Sequence, residues 1–305
     1  MQLPFVTLDV FTETRFRGNP LAVVTIPASG PKPTQQQKQA VAREFNLSET
    51  VFIHDVPDRA ADSSRNIDIF LPLTEIAFAG HPTIGTAVSL LDQAVTTLVT
   101  KAGPIALRSL GPRLVQAAIP HHVHLHAKRL RDLSLSDAQL PAVAQICQLE
   151  RDAPVFSIVN GVTFILIELP SLELLAQVEQ VSTPTPLDQI LDEGWSEGFL
   201  ARYYYVRTDS RRDDNGQPVI SLRARMMEHA FEDPATGSAA CCLGAFLSTV
   251  GDKQNTPTRR YDVTQGVEMA KESHIVVDVV MQDSRIQHVK LAGTAVQVMK
   301  GHVLV

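Results

Sequence analysis

A helix-start motif that occurs twice, half a chain apart, constrains this sequence more than any other feature. Phe78-Ala79-Gly80-His81-Pro82-Thr83-Ile84-Gly85-Thr86-Ala87 aligns with Phe231-Glu232-Asp233-Pro234-Ala235-Thr236-Gly237-Ser238-Ala239 when one residue is inserted after Phe78. Both copies then read acid or His, Pro, two residues, Gly, a hydroxyl residue and Ala. A period of half the chain is too long for a solenoid repeat. It predicts two similar domains facing each other, each presenting a helix N-terminus to a shared cleft. Core size agrees, since a chain of 305 residues favours two domains of about 150 residues over one.

The second copy carries its own chemistry. Asp233 before Pro234 suits an N-cap and a first helical turn, because proline's missing N–H costs nothing there. Gly237 and Ser238 would then let an anion approach the backbone N–H groups where the helix dipole favours negative charge. From Ala239 to Val250 no residue is charged, which predicts a helix buried on all sides. Cys241 and Cys242 lie inside it and read as packing residues.

The rest of the chain is rich in strand patterns. Val6–Phe11 and Leu21–Ile26 read as two strands around the turn Arg17-Gly18-Asn19-Pro20, and 34–45 as a surface helix with a narrow apolar stripe. Glu49 falls between that helix and a strand at Thr50–Ile53, a junction from which a side chain can project from a rigid edge. Strands at 66–71, 97–100, 105–110 and 114–119 follow, with the first apolar helix over 83–91. In the second half we expect a helix over 138–147, a hairpin at Asn160-Gly161, short helices at 172–178 and 187–191, and strands at 202–206 and 220–225 around a polar loop over 209–218. The tail reads as strands at 261–266, 274–281, 286–291 and 295–299, the last crossing back to close the first domain's sheet. Many strands with one buried helix per half give an α+β class: two pseudo-symmetric domains, each a mostly antiparallel barrel-like sheet around a central apolar helix. The expected domains are residues 1–112 with about 292–305, and 113–291. Neither a dinucleotide-binding glycine fingerprint nor a P-loop occurs.

Composition removes several function classes. A net charge of −6 gives no electrostatic footprint for nucleic acid, and no apolar run reaches the length of a membrane span. The first residues carry no basic region, so a cytoplasmic protein is expected. Three cysteines, two of them adjacent, make neither a disulfide framework nor a CxxC pair. His121, His122, His124 and His126 are the densest candidate for metal chemistry, and on an extended segment the last three share one face. No carboxylate or cysteine is placed near them in sequence to complete the set, so they read as an exposed linker and no metal is expected.

Four stretches resemble one known family. Leu8-Asp9-Val10-Phe11 with Phe16-Arg17-Gly18-Asn19-Pro20-Leu21-Ala22-Val23, Glu44–Phe52, Ala79–Gly85 and Glu232–Ala239 are similar, in order, to the motifs of the phenazine biosynthesis PhzF-like family. That family has the diaminopimelate epimerase-like architecture, with two pseudo-symmetric domains and an active site between them. The resemblance implies an isomerase that needs no cofactor and moves a proton on a small carboxylate substrate. It puts the catalytic glutamate at Glu49, with His81 and Asp233 as polar partners. Gly80, Gly237, Ser238 and Asn19 become substrate-binding residues. Partial desolvation of such a carboxylate would bring its pKa toward a value useful for acid–base work. A homodimer is the candidate assembly. One segment departs from the family pattern: where Gly-Arg-Pro-Ser is common, the chain has Ala270-Lys271-Glu272-Ser273 after Gln265-Gly266. Two other readings stand beside the isomerase. One is an amino-acid-type racemase or epimerase using carboxyl groups, the other a small-molecule-binding protein that has lost turnover.

Overall fold

The computed structural model describes residues 1–195, 198–229, 231–251 and 257–305. It divides into two compact units, Met1–Ile119 with Leu291–Val305, and Pro120–Lys290.

In the first unit, β1 (Gln2–Val10) and the apolar run of β2 (Asn19–Ile26) form an antiparallel pair, with Val10 opposite Asn19. Helix α1 (Gln35–Phe45) starts on a capping box, Thr34 with Gln37, and stops at Asn46 in the left-handed conformation. Strand β3 (Thr50–His54) runs parallel to β2, and β4 (Ser64–Phe70) antiparallel to β3. A two-residue strand, β5 (Glu75–Ile76), leads into α2 (Gly80–Ser89). Strands β6 (Thr97–Thr100), β7 (Gly103–Gly111) and β8 (Leu114–Ile119) continue the sheet, and β8 pairs with β7 and stays in this unit. The chain's last strand, Arg285–Leu304, returns to pair antiparallel with β1. It also pairs with β8, which closes an eight-stranded ring and leaves it no free edge.

Helix α2 is the centre of that ring. Residues 80–87 are all buried, and the helix packs against β1, β2, β3 and β8. Gly85 permits the approach, because a Cβ there would lie 2.6 Å from the Leu21 side chain and 2.7 Å from that of Val10.

The second unit is built from β9 (His124–Leu125), α3 (Ala144–Asp152), β10 (Val155–Val159), β11 (Val162–Glu168), and the short helices α4 (Leu172–Ala176) and α5 (Leu187–Ile190). Then follow β12 (Phe199–Arg212), β13 (Pro218–Glu228), β14 (Phe231–Asp233), α6 (Gly237–Phe246), β15 (Thr258–Gln265) and β16 (Ser273–Gln282); Arg285–Leu304 is β17. The pairings run β9–β10–β11–β12–β13–β15–β16, parallel only at β11–β12 and β13–β15. The Asn160-Gly161 turn joins β10 to β11 as expected. Helix α6 packs on β10, β11, β15 and β16 and is buried except at Ser238 and Phe246.

Three elements depart from the sequence expectation. The helix expected over 138–147 is a single 3-10 turn at Asp137–Gln139 followed by α3 from Ala144. Pro141 divides them, since it lacks a donor and disfavours helical backbone at Leu140. The polar stretch 209–218 is mostly strand: β12 and β13 pair as far as Arg212 opposite Pro218, and the turn shrinks to the residues between. The two final strands are one, continuous through Gly293, where the Phe11 ring lies 2.3 Å from any added Cβ.

A charged cluster anchors the second unit's interior. Glu150 on α3 accepts from Arg202 Nε at 2.6 Å and from the Tyr204 hydroxyl at 2.5 Å. Arg202 also donates to the Gln139 carbonyl and Thr185. No helix among the described residues is long and apolar enough to cross a membrane.

Candidate active site

Three of the sequence-selected residues meet in the first unit. Glu49 is the residue before β3, held there because α1 ends at the left-handed Asn46 and the chain has two residues in which to turn. His81 is the second residue of α2, and Asn19 is the first of β2. Asn19 Nδ2 lies 3.4 Å from His81 Nδ1. An amide nitrogen can only donate, so Nδ1 accepts and the ring proton sits on Nε2. That atom faces Glu49 Oε2 at 3.7 Å, beyond hydrogen-bond distance but within reach of charge. All three are shielded: Asn19 is 1% exposed, and the His81 and Glu49 side chains 4% and 14%. The arrangement orients an imidazole N–H toward a carboxylate in a poorly hydrated setting, which suits a proton-transfer pair. Gly80 opens α2, and Ala79 before it offers no side-chain cap.

The remaining candidates lie in the second unit, with a different local structure from the one expected. Asp233 is not an N-cap, and Pro234 is not in a first turn. Asp233 ends β14 opposite Met226, and α6 begins at Gly237 with Thr236 as its N-cap residue. The reason is a side-chain lock. Thr236 Oγ1 donates to Asp233 Oδ2 at 2.5 Å instead of capping the helix. Gln265, fully buried, donates through Nε2 to the Asp233 carbonyl at 2.8 Å and to Thr236 Oγ1 at 3.0 Å. Its Oε1 accepts from the Thr236 N–H at 3.2 Å and from the Tyr203 hydroxyl at 3.1 Å. So Asp233 is tied to the start of α6 and buried, while Gly237 and Ser238 form that helix's first two positions. The two copies of the repeat are therefore used differently: Gly80 matches Gly237 as the opening residue of its helix, rather than Gly85 as sequence alignment suggests. Neither helix has a side-chain cap at its N-cap residue, Ala79 or Thr236.

Gln265 was visible in the sequence only as part of a family stretch, and Thr236 only as a spacer. Their hydrogen bonds span residues far apart, so no local spacing signals them. Gly266 completes the lock. It sits at φ +77°, and a Cβ would come 2.5 Å from the Pro234 carbonyl oxygen and 2.6 Å from that of Lys271. Gly266→Ala is expected to lower unfolding free energy by about 2–4 kcal/mol, from left-handed strain plus overpacking. Urea denaturation checks this; a loss below ~1 kcal/mol would mean that the two carbonyls yield freely.

Cys241 and Cys242 are buried in α6, and burial pushes both thiols upward, away from the thiolate form. The histidine cluster is not the exposed linker expected from sequence: His124 lies in β9, paired with β10, and His126 is buried. His122, His124 and His126 do lie together, all within ring-contact range of Trp195, but a carboxylate completes the group: Asp192 Oδ2 is 2.7 Å from His124 Nε2 and 3.8 Å from His126 Nδ1. Sequence separation hid it.

The chain is similar to proteins carrying isomerase names. It is 30% identical to an uncharacterized isomerase of Mesorhizobium japonicum, over 99% of this chain and 98% of that one. It is 27% identical to trans-2,3-dihydro-3-hydroxyanthranilate isomerase of Pseudomonas fluorescens, over 98% and 99%. The fold matches a Bacillus anthracis phenazine biosynthesis protein of the PhzF family with a TM-score of 0.72 at 21% identity, covering both chains fully. It matches a predicted epimerase of Pseudomonas aeruginosa with a TM-score of 0.68 at 22% identity, over 99% of each. The family model described as phenazine biosynthesis-like protein matches residues 8–301, and the chain belongs to that family.

Proposed function

We propose that this isomerase moves a proton between two carbons of a small carboxylate substrate, with Glu49 as the group that takes and returns it. The observation that carries the reading is the Asn19–His81–Glu49 line, in which Asn19 fixes the imidazole tautomer so that His81 Nε2–H addresses the Glu49 carboxylate. Glu49 accepts the proton released when the carbon–hydrogen bond breaks. It then delivers the proton to the second carbon as the double bond moves, ending as the carboxylate it began as. No oxidant or external proton is consumed. Between turnovers His81 Nε2–H stands 3.7 Å from the carboxylate and faces it.

For the second unit, the resemblance makes Asp233 a polar partner in the chemistry and assigns Gly237 and Ser238 to substrate binding. The support is the uncapped start of α6, whose dipole favours a carboxylate. The segment in which this chain departs from its family, Ala270-Lys271-Glu272-Ser273, leaves the turn that Lys271 N–H closes onto the Gly266 carbonyl at 2.8 Å and runs into β16 at Ser273. Gly266 abuts Pro234 beside Asp233, so a substrate preference distinct from that of the named relatives is part of the proposal.

The test is incubation in deuterium oxide with trans-2,3-dihydro-3-hydroxyanthranilate and a panel of cyclic and linear unsaturated carboxylates, followed by NMR. A shifted double bond is expected in at least one substrate, with deuterium at the receiving carbon because the proton held by Glu49 exchanges with solvent before its return. Deuterium accompanied only by loss of optical activity would replace isomerisation with epimerisation. Ligand-induced thermal stabilisation without exchange at any carbon would indicate a binding protein.

A further inference from the structure

The second unit holds a cluster of metal-ligating side chains for which the proton chemistry has no use. His124 lies in β9, His126 two residues on, and Asp192 just after α5. One nitrogen from each histidine and one oxygen of the aspartate all fall within 4.8 Å of one another. We propose that His124 Nε2, His126 Nδ1 and an Asp192 carboxylate oxygen bind a borderline-soft divalent cation, zinc foremost, with a fourth position left to water.

Two imidazoles and a carboxylate are a donor set suited to zinc rather than to magnesium or calcium, which prefer oxygen alone. The ligand atoms of a tetrahedral zinc stand about 3.4 Å apart, given bonds near 2.0–2.1 Å. The observed separations from Asp192 Oδ2, 2.7 Å to His124 and 3.8 Å to His126, bracket that value. Rotation of the Asp192 carboxylate brings them to it.

The surroundings prepare His126 in particular. Its Nε2–H donates to Ser157 Oγ at 2.8 Å, and Ser157 is bonded in turn to Thr163. Such an outer partner fixes the tautomer and turns the Nδ1 lone pair toward the other donors. Nδ1 at present accepts from the Asp192 N–H at 3.1 Å. An ion would replace that one hydrogen bond, and the His124 ring proton would move from Nε2 to Nδ1.

Access is one-sided. The His126 side chain is fully covered, whereas those of His124 and Asp192 are 33% and 30% exposed. An ion therefore meets the outer two ligands first and closes onto the inner one. Trp195 stacks on His124 with centroids 4.6 Å apart and planes 13° apart. It is the one tryptophan of the chain, so its emission reports on this place alone.

The experiment titrates zinc into tag-free, chelator-treated full-length protein while following tryptophan fluorescence, with cobalt as a second probe. We expect a saturable change at one zinc per chain with micromolar or tighter affinity, and cobalt absorption bands of four-coordinate intensity. Asp192→Asn, which preserves shape at a half-exposed position, and His126→Gln should each weaken binding at least tenfold. Circular dichroism separates loss of fold from loss of site, and the asparagine variant keeps the test valid if the glutamine variant unfolds. Absence of a saturable change up to millimolar zinc would overturn the proposal. So would unchanged affinity in folded Asp192→Asn, or stoichiometric zinc binding that leaves Trp195 emission unaffected.

Discussion

Glu49→Gln is expected to slow deuterium incorporation into a true substrate by about 10²- to 10⁴-fold, the usual contribution of a positioned acid–base group. Glutamine keeps the shape and the facing of His81 Nε2, 3.7 Å away in the wild type, but its amide cannot take a proton from carbon. Glu49 precedes β3 rather than lying within the ladder, and its side chain keeps some exposure, so stability should change little. The expected signature is a large fall in kcat with a modest change in KM. A second variant isolates the neighbour. Asn19→Ala would release the His81 tautomer and lower the rate less than Glu49→Gln does, by about tenfold if one oriented hydrogen bond is lost. Exchange by Glu49→Gln within a few-fold of wild type would remove Glu49 from the chemistry.

Glu150→Ala is expected to cost about 3–5 kcal/mol of stability, the largest loss anticipated for a residue outside the candidate site, because it strands a buried guanidinium. The Glu150 and Arg202 side chains are 0% and 4% exposed, and the carboxylate accepts from both Arg202 and Tyr204. Arg202 would keep only the Gln139 carbonyl and Thr185 as partners, neither of which carries a compensating charge. The tyrosine hydroxyl would lose its acceptor in the interior. Chemical denaturation of the second unit's transition reads the effect. The double variant Glu150→Leu with Arg202→Met should recover much of the loss, since apolar residues of similar volume can replace a buried pair. Equal destabilisation by the single and double variants would show that packing around α3, not the stranded charge, sets the cost.

Particular residues show which parts of the molecule were legible in sequence. Alternation placed β1 and β4, and short apolar runs bounded by turn residues placed β2, β3 and the β10–β11 hairpin, signals carried within a few residues. Helix α6 was visible because twelve uncharged residues in a row have no other soluble solution. The α3 boundary was missed because apolar spacing around Pro141 outweighed the proline itself. The 209–218 stretch was missed because polar residues in a two-stranded extension carry no burial signal to distinguish them from a loop. In the candidate site, Glu49, His81 and Asn19 were chosen through family motifs, and the structure adds the order in which they touch.

The amino-acid sequence by itself determined that the chain is an α+β protein with one buried helix in each half, since hydrophobic period and the repeated helix start are local properties. Only the tertiary structure decided what each helix start is made of. Asp233 looked like a cap from its neighbours, but Gln265 and Thr236 draw it into a buried lock and move the first turn to Gly237. Asp192 joined the histidines for the same reason: hydrogen-bonding and ligating groups act over a few ångströms in space, and spacing along the chain says nothing about which distant segments folding brings within that range.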